Sequence, residues 1–291
     1  MSLETNVKSG ELYICPTPIG NLEDMTLRAL RILKEADIIA AEDTRHTQKL
    51  LNHFCINTPL ISYHEHNKNE KSEELVKKLL AGQNIALVSD AGMPGISDPG
   101  HDLVRLAVEK NIRVTPLPGA NAALTALVGS GLTTLQFTFI GFLPKTSKKR
   151  REMLTSLKNH DYTLIFYESP HRLTNTLDEM AAILGDRPAA AARELTKKFE
   201  EFIRGPLTTL SQYFKENVPR GELTIVVDTF QKDKEAILVA KDDKSSYDEA
   251  VLVQAVEEMI LSGANKKDAI RTIASNLGLS RRMVYQAVIK K

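Results

Sequence analysis

Residues 10–117 alternate short apolar runs with segments of helical periodicity. The runs carry β-branched and aromatic residues, as strands do, whereas the segments between them repeat apolar residues every three or four positions. We predict five strands, ELYICPTP, DIIAAED, PLISYH, NIALVSD and IRVTPLP, and four helices, MTLRALRILKEA, HTQKLLNHF, EKSEELVKKLLAG and HDLVRLAVEK. This alternation predicts an N-terminal α/β domain.

Strands dominate the next part of the chain, with fewer helices between them. The predicted strands are QFTFIGF, DYTLIFYE, AAAAREL, EEFIRG and ELTIVVDTF. Strands with few intervening helices favour antiparallel pairing, so we predict a second, more antiparallel α/β domain over residues 118–230. Residues 231–246 are polar and predict a linker. Residues 247–291 show helical spacing with two breaks, which predicts a three-helix module resembling a helix-turn-helix.

Composition narrows the classes of function. The chain has 291 residues, and 38 Lys and Arg balance 37 Asp and Glu, so any basic site must be local. Cys15 and Cys55 are too few for a disulfide framework or a four-thiolate zinc site, and no metal is expected. Residues 1–10 lack an apolar export segment, and no run approaches the length of a membrane span. We therefore expect a cytoplasmic protein without a membrane partner.

The loop SDAGMPGISDPG is the first candidate binding site. It follows a predicted strand that ends in Ser89 and Asp90, and Gly92 shapes its turn. We predict Asp98 as the N-cap of the next helix and Pro99 as its first residue. Ligands collect at such strand ends because free backbone donors face them. The glycine spacing is not that of a dinucleotide fingerprint, and a tight capped turn is the structural alternative.

Two further loops add to this candidate edge. CPTPIGNLEDMT is stiffened by its prolines, and PLPGANAALTALVGSGL leads into a helix of small residues. Small side chains permit close approach by a ligand. A simple strand-to-helix connection and close helix packing are the structural alternatives.

A set of motifs then points to a known family. In chain order they are PTPIGNLEDMT, AEDTR, SDAGMPGISDPG, PLPGANAALTAL, GFLP, FYESPHR and RELTKKFEE. Together they closely resemble the ribosomal small-subunit RNA 2′-O-methyltransferase I family, which belongs to the tetrapyrrole methylases, the class III S-adenosylmethionine-dependent methyltransferases. The resemblance covers residues 10–230. It implies two α/β domains with S-adenosylmethionine in the cleft between them, methylation of a cytidine ribose in the decoding region of 16S rRNA, and a homodimer.

The resemblance also implies a set of cofactor-binding residues. They are Pro18, Gly20, Ser89, Asp90, Ala91, Gly92, Met93, Pro94, Pro118, Gly119, Ala120, Asn121 and Ala122. The family commonly has threonine at the position of Met93, so this chain lacks that hydroxyl. Backbone contacts do not depend on it.

Methyl transfer to a ribose hydroxyl requires alignment of the reactants and either a general base that accepts the proton or a group that stabilises the developing oxyanion. Two clusters pair a carboxylate with a cation that suits phosphate. They are Glu42, Asp43 and Arg45 in AEDTR, and Glu168, His171 and Arg172 in YESPHR. Of these we favour Glu168 and Asp43 as the base. Helix capping by either carboxylate, and surface ion pairs of the arginines, are the structural alternatives.

Two basic segments are candidate RNA contacts. The segment after GFLP contains Lys145, Lys148, Lys149, Arg150 and Arg151, and the last predicted helix begins with Arg281 and Arg282. Clustered cations bind phosphates, although they are also common on solvated surfaces. A helical bundle that serves dimerisation is the alternative for the C-terminal module.

Two other functions are alternatives. A tetrapyrrole methyltransferase uses the same fold, but a small substrate needs no phosphate-binding segments. A ligand-sensing helix-turn-helix DNA-binding regulator is disfavoured by the formal charge of +1. Methyl label on small ribosomal subunits indicates the rRNA methyltransferase, and label on a porphyrinoid indicates the tetrapyrrole methyltransferase. An electrophoretic shift of genomic DNA fragments indicates the regulator.

Overall fold

Residues 9–229, 249–261, 264–277 and 279–289 are described by a computed structural model. The chain divides into one unit up to residue 230 and a second from residue 231. The predicted linker at 231–246 lies outside the described residues, and the domain boundary at 117/118 stays a prediction.

The first sheet is parallel and has the order β3-β2-β4-β1-β5. Its strands are β1 (Glu11–Ile14), β2 (Ile38–Ala41), β3 (Leu60–Ser62), β4 (Ile85–Val88) and β5 (Arg113–Pro116). Both β2 and β4 are buried along their whole length, which explains why their sequences are continuously apolar. The crossover helices are α1 (Leu27–Glu35), α2 (Thr44–His53), α3 (Lys68–Leu80) and α4 (Gly100–Glu109).

Helix α4 corrects one predicted boundary. The helix begins at Gly100, and Pro99 is its N-cap residue rather than its first helical residue. Asp98 still satisfies the helix end, because its Oδ1 accepts hydrogen bonds from the backbone N–H groups of Gly100 at 2.8 Å and Gly95 at 2.7 Å. The carboxylate therefore ties the turn to the helix from one position further out than predicted.

The second sheet has the order β6-β7-β10-β8-β9. Its strands are β6 (Phe137–Phe142), β7 (Thr163–Glu168), β8 (Pro188–Arg193), β9 (Glu201–Pro206) and β10 (Leu223–Val227). Only β6 and β7 pair in parallel among these described strands, so the more antiparallel character predicted for this sheet is confirmed. The helices are α5 (Ala122–Ser130), α6 (Ser147–Ser156), α7 (Leu173–Leu184) and α8 (Leu207–Glu216).

The C-terminal unit consists of the three predicted helices. They are α9 (Glu249–Leu261), α10 (Lys266–Leu277) and α11 (Arg281–Ile289). Val256, Ala269, Ile270, Ala274 and Val284 form its own apolar core. None of the helices in the described part of the chain is long and apolar enough to cross a membrane.

Candidate active site

A cavity of about 340 Å³ opens where the carboxyl ends of β2 and β4 meet the second sheet. Its size falls within the roughly 300–1,000 Å³ that is usual for small-molecule sites. The lining residues are Ile19, Glu42, Ser89, Asp90, Ala91, Gly92, Met93, Ile96, Ser97, Asp98, Asn121, Ala122, Phe142, Tyr167, Glu168, Ser169, Pro170, Ala192, Leu195, Gly221, Glu222, Leu223 and Thr224. Both sheets thus contribute to one site, called the first cavity below.

The turn after β4 is held in place by backbone hydrogen bonds. Thr17 and Gly92 exchange two N–H···O bonds of 3.0 Å, and the hydroxyl of Thr17 donates to the carbonyl of Ser89 at 3.0 Å. Gly92 has φ +80°, and a Cβ there would lie 3.1 Å from Cγ2 of Ile19. Glycine is therefore required both by the left-handed backbone and by the tight packing beside the cavity.

One side of the first cavity is acidic. Glu42, Asp90 and Asp98 line it, and Asp90 Oδ1 accepts a hydrogen bond from the backbone N–H of Asp43 at 3.0 Å. Burial raises the pKa of the Glu42 carboxyl, and the neighbouring Asp90 and Asp98 raise it further. These carboxylates offer acceptors for hydroxyl or ammonium groups of a ligand.

Much of the remaining lining is apolar. It is formed by Ile19, Ile96, Phe142, Tyr167, Leu195 and Leu223. The rings of Phe142 and Tyr167 meet edge to face with centroids 5.6 Å apart. A flat ring system would be buried against this wall, while its polar substituents reach the acidic side.

The loop after β8 contributes residues to two cavities. Leu195 enters the first cavity, and Lys197 enters a second one described below. Glu194 and Thr196, on either side of Leu195, have φ of 50° and 66°, an uncommon conformation for residues with a Cβ. Lys197 Nζ donates to Glu194 Oε1 at 2.8 Å and closes this loop on itself. Strain of this kind is often found at functional sites.

The predicted cofactor residues separate into three groups. Ser89, Asp90, Ala91, Gly92, Met93, Asn121 and Ala122 line the first cavity. Pro18 and Gly20 line the second, and Pro94, Pro118, Gly119 and Ala120 line neither. Gly119 instead provides room for packing, because a Cβ on it would lie 2.6 Å from Cβ of Pro16. Of the second-sheet residues that line the first cavity, Glu168 was among the predicted site residues, whereas Phe142, Tyr167, Ala192, Leu223 and Thr224 were not, because only the folded chain brings them to this edge.

The carboxylate of Glu168 is fully engaged in hydrogen bonds. It is 2% exposed and accepts from Nη2 of Arg172 at 2.7 and 3.0 Å, from Ser169 N–H at 2.7 Å and from the Thr176 hydroxyl at 2.8 Å. Arg172 also donates to the carbonyl of Leu143 at 3.1 Å. The arrangement favours a structural ion pair over proton transfer, although the pair is buried at Glu168 and not the surface pair given as the alternative for Arg172.

Asp43 acts as the N-cap of α2. Its Oδ1 accepts from the backbone N–H groups of Arg45 at 2.8 Å and His46 at 3.4 Å, and its Oδ2 accepts from the guanidinium of Arg45 at 3.2 Å. Hydrogen bonds from Arg45 lower the pKa of the Asp43 carboxyl. A depressed pKa makes this carboxylate a weak base, which favours the capping alternative. His171 is exposed and lines neither cavity.

A second cavity, of about 600 Å³, lies beside the first. It is lined by Thr17, Pro18, Ile19, Gly20, Leu22, His46, Lys49, Leu50, His53, Asp90, Ala91, Lys197 and Glu222. Ile19, Asp90, Ala91 and Glu222 line both cavities. Asp90 and Glu222 are the only carboxylates on this shared wall among the described residues.

The basic segment around α6 needs one correction. Arg150, predicted to contact RNA, is 7% exposed and forms an ion pair with Glu179, with Nε 2.6 Å from Oε2. Burial on the inner face of α6 withdraws it from phosphates. The other four predicted cations, Lys145, Lys148, Lys149 and Arg151, are exposed, as are Arg281 and Arg282 of the C-terminal unit.

The chain is similar to known proteins over most of its length. A family model described as Tetrapyrrole (Corrin/Porphyrin) Methylases matches residues 11–211. A protein from Halalkalibacterium halodurans named "Ribosomal RNA small subunit methyltransferase I" is 52% identical, over 95% of this chain and 93% of its own length. The chain belongs to the ribosomal RNA small subunit methyltransferase I family. A relative of the same name from Synechocystis sp. is 48% identical, over 95% of this chain and 96% of its own length. Another from Bacillus subtilis is 47% identical, over 99% of this chain and 97% of its own length.

Solved structures confirm the predicted fold class of this family member. A cobalt precorrin-4 methyltransferase has a TM-score of 0.57 at 17% identity, over 78% of this chain and 98% of its own. A uroporphyrin-III C-methyltransferase from Thermus thermophilus, complexed with S-adenyl homocysteine, has a TM-score of 0.54 at 19% identity. The match covers 75% of this chain and 97% of that chain. At such identities the likeness extends to the fold alone.

Proposed function

We propose that this family member uses S-adenosylmethionine to methylate the 2′-hydroxyl of a cytidine in the 16S rRNA of the small ribosomal subunit. The observation that carries the proposal is a pair of adjacent cavities that share a wall containing Asp90 and Glu222. One cavity has the size and polarity of a small-molecule site, and the other is open and bears cations. The names of the relatives support the choice of an rRNA substrate.

The residues of the first cavity fit S-adenosylmethionine. The apolar wall with Phe142 and Tyr167 suits an adenine ring, and Glu42, Asp90 and Asp98 suit ribose hydroxyls, an ammonium group and a positively charged sulfur. The turn at Gly92 packs tightly against Ile19, which lines both cavities. When bound, S-adenosylmethionine supplies a methyl group on a sulfonium, and the product leaves as a neutral thioether.

The protein's share of the chemistry is to align the ribose, exclude water and accept one proton. We assign the role of proton acceptor to Asp90. Its Oδ1 is fixed by the backbone N–H of Asp43, and Asp90 reaches both cavities. As the oxygen–carbon bond forms, the carboxylate takes the hydroxyl proton. Glu222 is the weaker candidate, because its side chain is 71% exposed and its Oε2 accepts from Lys197 Nζ at 3.2 Å.

Labelled methyl transfer tests the proposal. Small subunits from a strain lacking this enzyme should take up tritiated methyl groups when they are incubated with the purified protein and labelled S-adenosylmethionine. Alkaline hydrolysis of their 16S rRNA should then leave the label in an alkali-resistant dinucleotide, because 2′-O-methylation blocks cleavage there. Label on a porphyrinoid, or none on RNA, would overturn the assignment.

Substitution of the two shared carboxylates tests the role of Asp90. Asp90→Asn keeps the acceptor for Asp43 N–H but removes the base, so we expect kcat to fall about 10²–10⁴-fold. Calorimetry should show a much smaller loss of affinity for S-adenosylmethionine, because Glu42 and Asp98 keep their carboxylates in the first cavity. Glu222→Gln is the matched control, with only a small effect expected. A large loss in Glu222→Gln and none in Asp90→Asn would reverse the assignment.

The resemblance also leads us to propose a cytoplasmic homodimer. Sedimentation equilibrium of the purified protein tests the oligomeric state. A monomer at micromolar concentration would contradict it.

A further inference from the structure

We infer that the second cavity is a nucleotide-binding subsite in which one face of α2 holds the phosphate backbone beside the target ribose. The inference rests on the proposed function and assigns its substrate contacts. The α2 face consists of His46, Lys49 and His53.

The spacing of these residues places them on one face. Positions i, i+3 and i+7 of a helix lie above one another, and all three side chains are exposed and line the second cavity. The apolar face of the same helix, with Leu51, points into the core beside β2. Lys49 forms no salt bridge with any described residue, so its charge is available to a ligand.

The charges in the cavity are separated. Its two carboxylates, Asp90 and Glu222, stand on the wall shared with the first cavity, whereas Lys49 stands on α2. The remaining cation, Lys197, is already paired with Glu194 at 2.8 Å and Glu222 at 3.2 Å. A nucleotide presents complementary groups in the same way. Its sugar hydroxyl gives up a proton to a carboxylate, and its flanking phosphates attract cations.

The loop between β1 and α1, which also lines the second cavity, is held by contacts with a second loop. The hydroxyl of Thr196 accepts a hydrogen bond from the backbone N–H of Asn21 at 3.1 Å, and a Cβ on Gly20 would collide with the side chain of Lys197. The loop therefore packs directly against the segment after β8. These contacts join two segments that line the second cavity, and segments already held together lower the entropic cost of binding.

The salt dependence of subunit binding tests the inference. The probe is the small ribosomal subunit from a strain lacking this enzyme, and the variants are Lys49→Gln and Lys49→Glu. Lys110→Gln is the matched control, because Lys110 is exposed at the end of α4 and lines neither cavity. Loss of one phosphate contact should reduce the slope of log K against log salt by about 0.7–1. We expect KM for subunits to rise roughly fivefold in Lys49→Gln and further in Lys49→Glu.

The readouts distinguish the possible failures. Unchanged affinity for S-adenosylmethionine in the Lys49 variants shows that they are folded. Equal slopes and KM values for Lys49→Gln and Lys110→Gln, with a wild-type enzyme that methylates subunits, would overturn this inference alone. A wild-type protein that binds subunits without methylating them would overturn the proposed function, while the slopes still report whether Lys49 contacts phosphate.

Discussion

At the scale of single residues, Glu168 shows how a carboxylate beside a cavity becomes structural. Glu168 ends β7, Arg172 is the N-cap residue of α7 and Thr176 lies in its first turn, so the start of the helix brings both donors to the end of the strand. The charge of Glu168 is buried, and only this set of donors compensates its loss of hydration.

Removing Glu168 should therefore cost stability. Glu168→Ala leaves Arg172 without its partner, and we expect a loss of about 3 kcal/mol in the free energy of unfolding. Urea denaturation followed by circular dichroism measures it. Exposed Glu73→Ala on α3 is the comparison. A Glu168→Ala variant as stable as wild type would show that the ion pair is not structural.

Glu42 makes stability depend on pH. Burial and the nearby Asp90 and Asp98 raise its pKa in the folded protein above the ordinary 4.5. The folded state therefore binds the proton of Glu42 more tightly than the unfolded state does. This preference stabilises the folded protein below about pH 4.5, and the stabilisation is lost as the pH rises through the raised pKa.

The consequence appears in Glu42→Gln. The variant lacks the buried charge, so we expect it to be more stable than wild type at pH 7 and to lose that advantage as the solution is acidified. Thermal unfolding across this pH range measures the difference, with Glu73→Gln as the control for loss of a carboxylate. A pH-independent difference would contradict the raised pKa.

At the scale of elements, α6 carries two kinds of cation. Arg150 and Leu154 are one turn apart and buried together, whereas Lys148, Lys149 and Arg151 face outward. A run of adjacent cations in a helix points in all directions, so one of them necessarily meets the core. Glu179 of α7 supplies the partner that makes this burial tolerable.

The two kinds of cation should respond differently to substitution. Arg150→Ala leaves Glu179 unpaired, and we expect a loss of roughly 2–3 kcal/mol of stability. Lys149→Ala should leave stability unchanged and weaken binding to small subunits in a salt-dependent way. Denaturation and filter binding on both variants check this. Equal stabilities would contradict the burial of Arg150.

At the scale of the whole molecule, each unit has its own core. The apolar clusters of the first unit are formed by residues up to Val227, and that of the C-terminal unit by residues from Val256 onward. Each core is therefore expected to form without the other unit.

Truncation after residue 230 tests this independence. We expect the shortened protein to keep its affinity for S-adenosylmethionine, because both cavities are formed by earlier residues. Its affinity for small subunits should fall if Arg281 and Arg282 contact RNA. Calorimetry and filter binding separate the two effects. Loss of cofactor binding in a folded truncated protein would contradict the expectation.

The sequence by itself determined the strands of both sheets, the crossover helices of the first sheet, the three C-terminal helices, the turn at Gly92 and the family, whereas α7 and α8 were not predicted. Those features depend on local periodicity, turn chemistry and motif spacing, all of which are properties of neighbouring positions. Only the tertiary structure decided that Tyr167 and Leu195 reach the first cavity, that Arg150 and Glu168 are paired, and that Lys49 shares a cavity with Asp90. The physical reason is that burial and pairing depend on contacts between segments far apart in the chain, which no local pattern encodes.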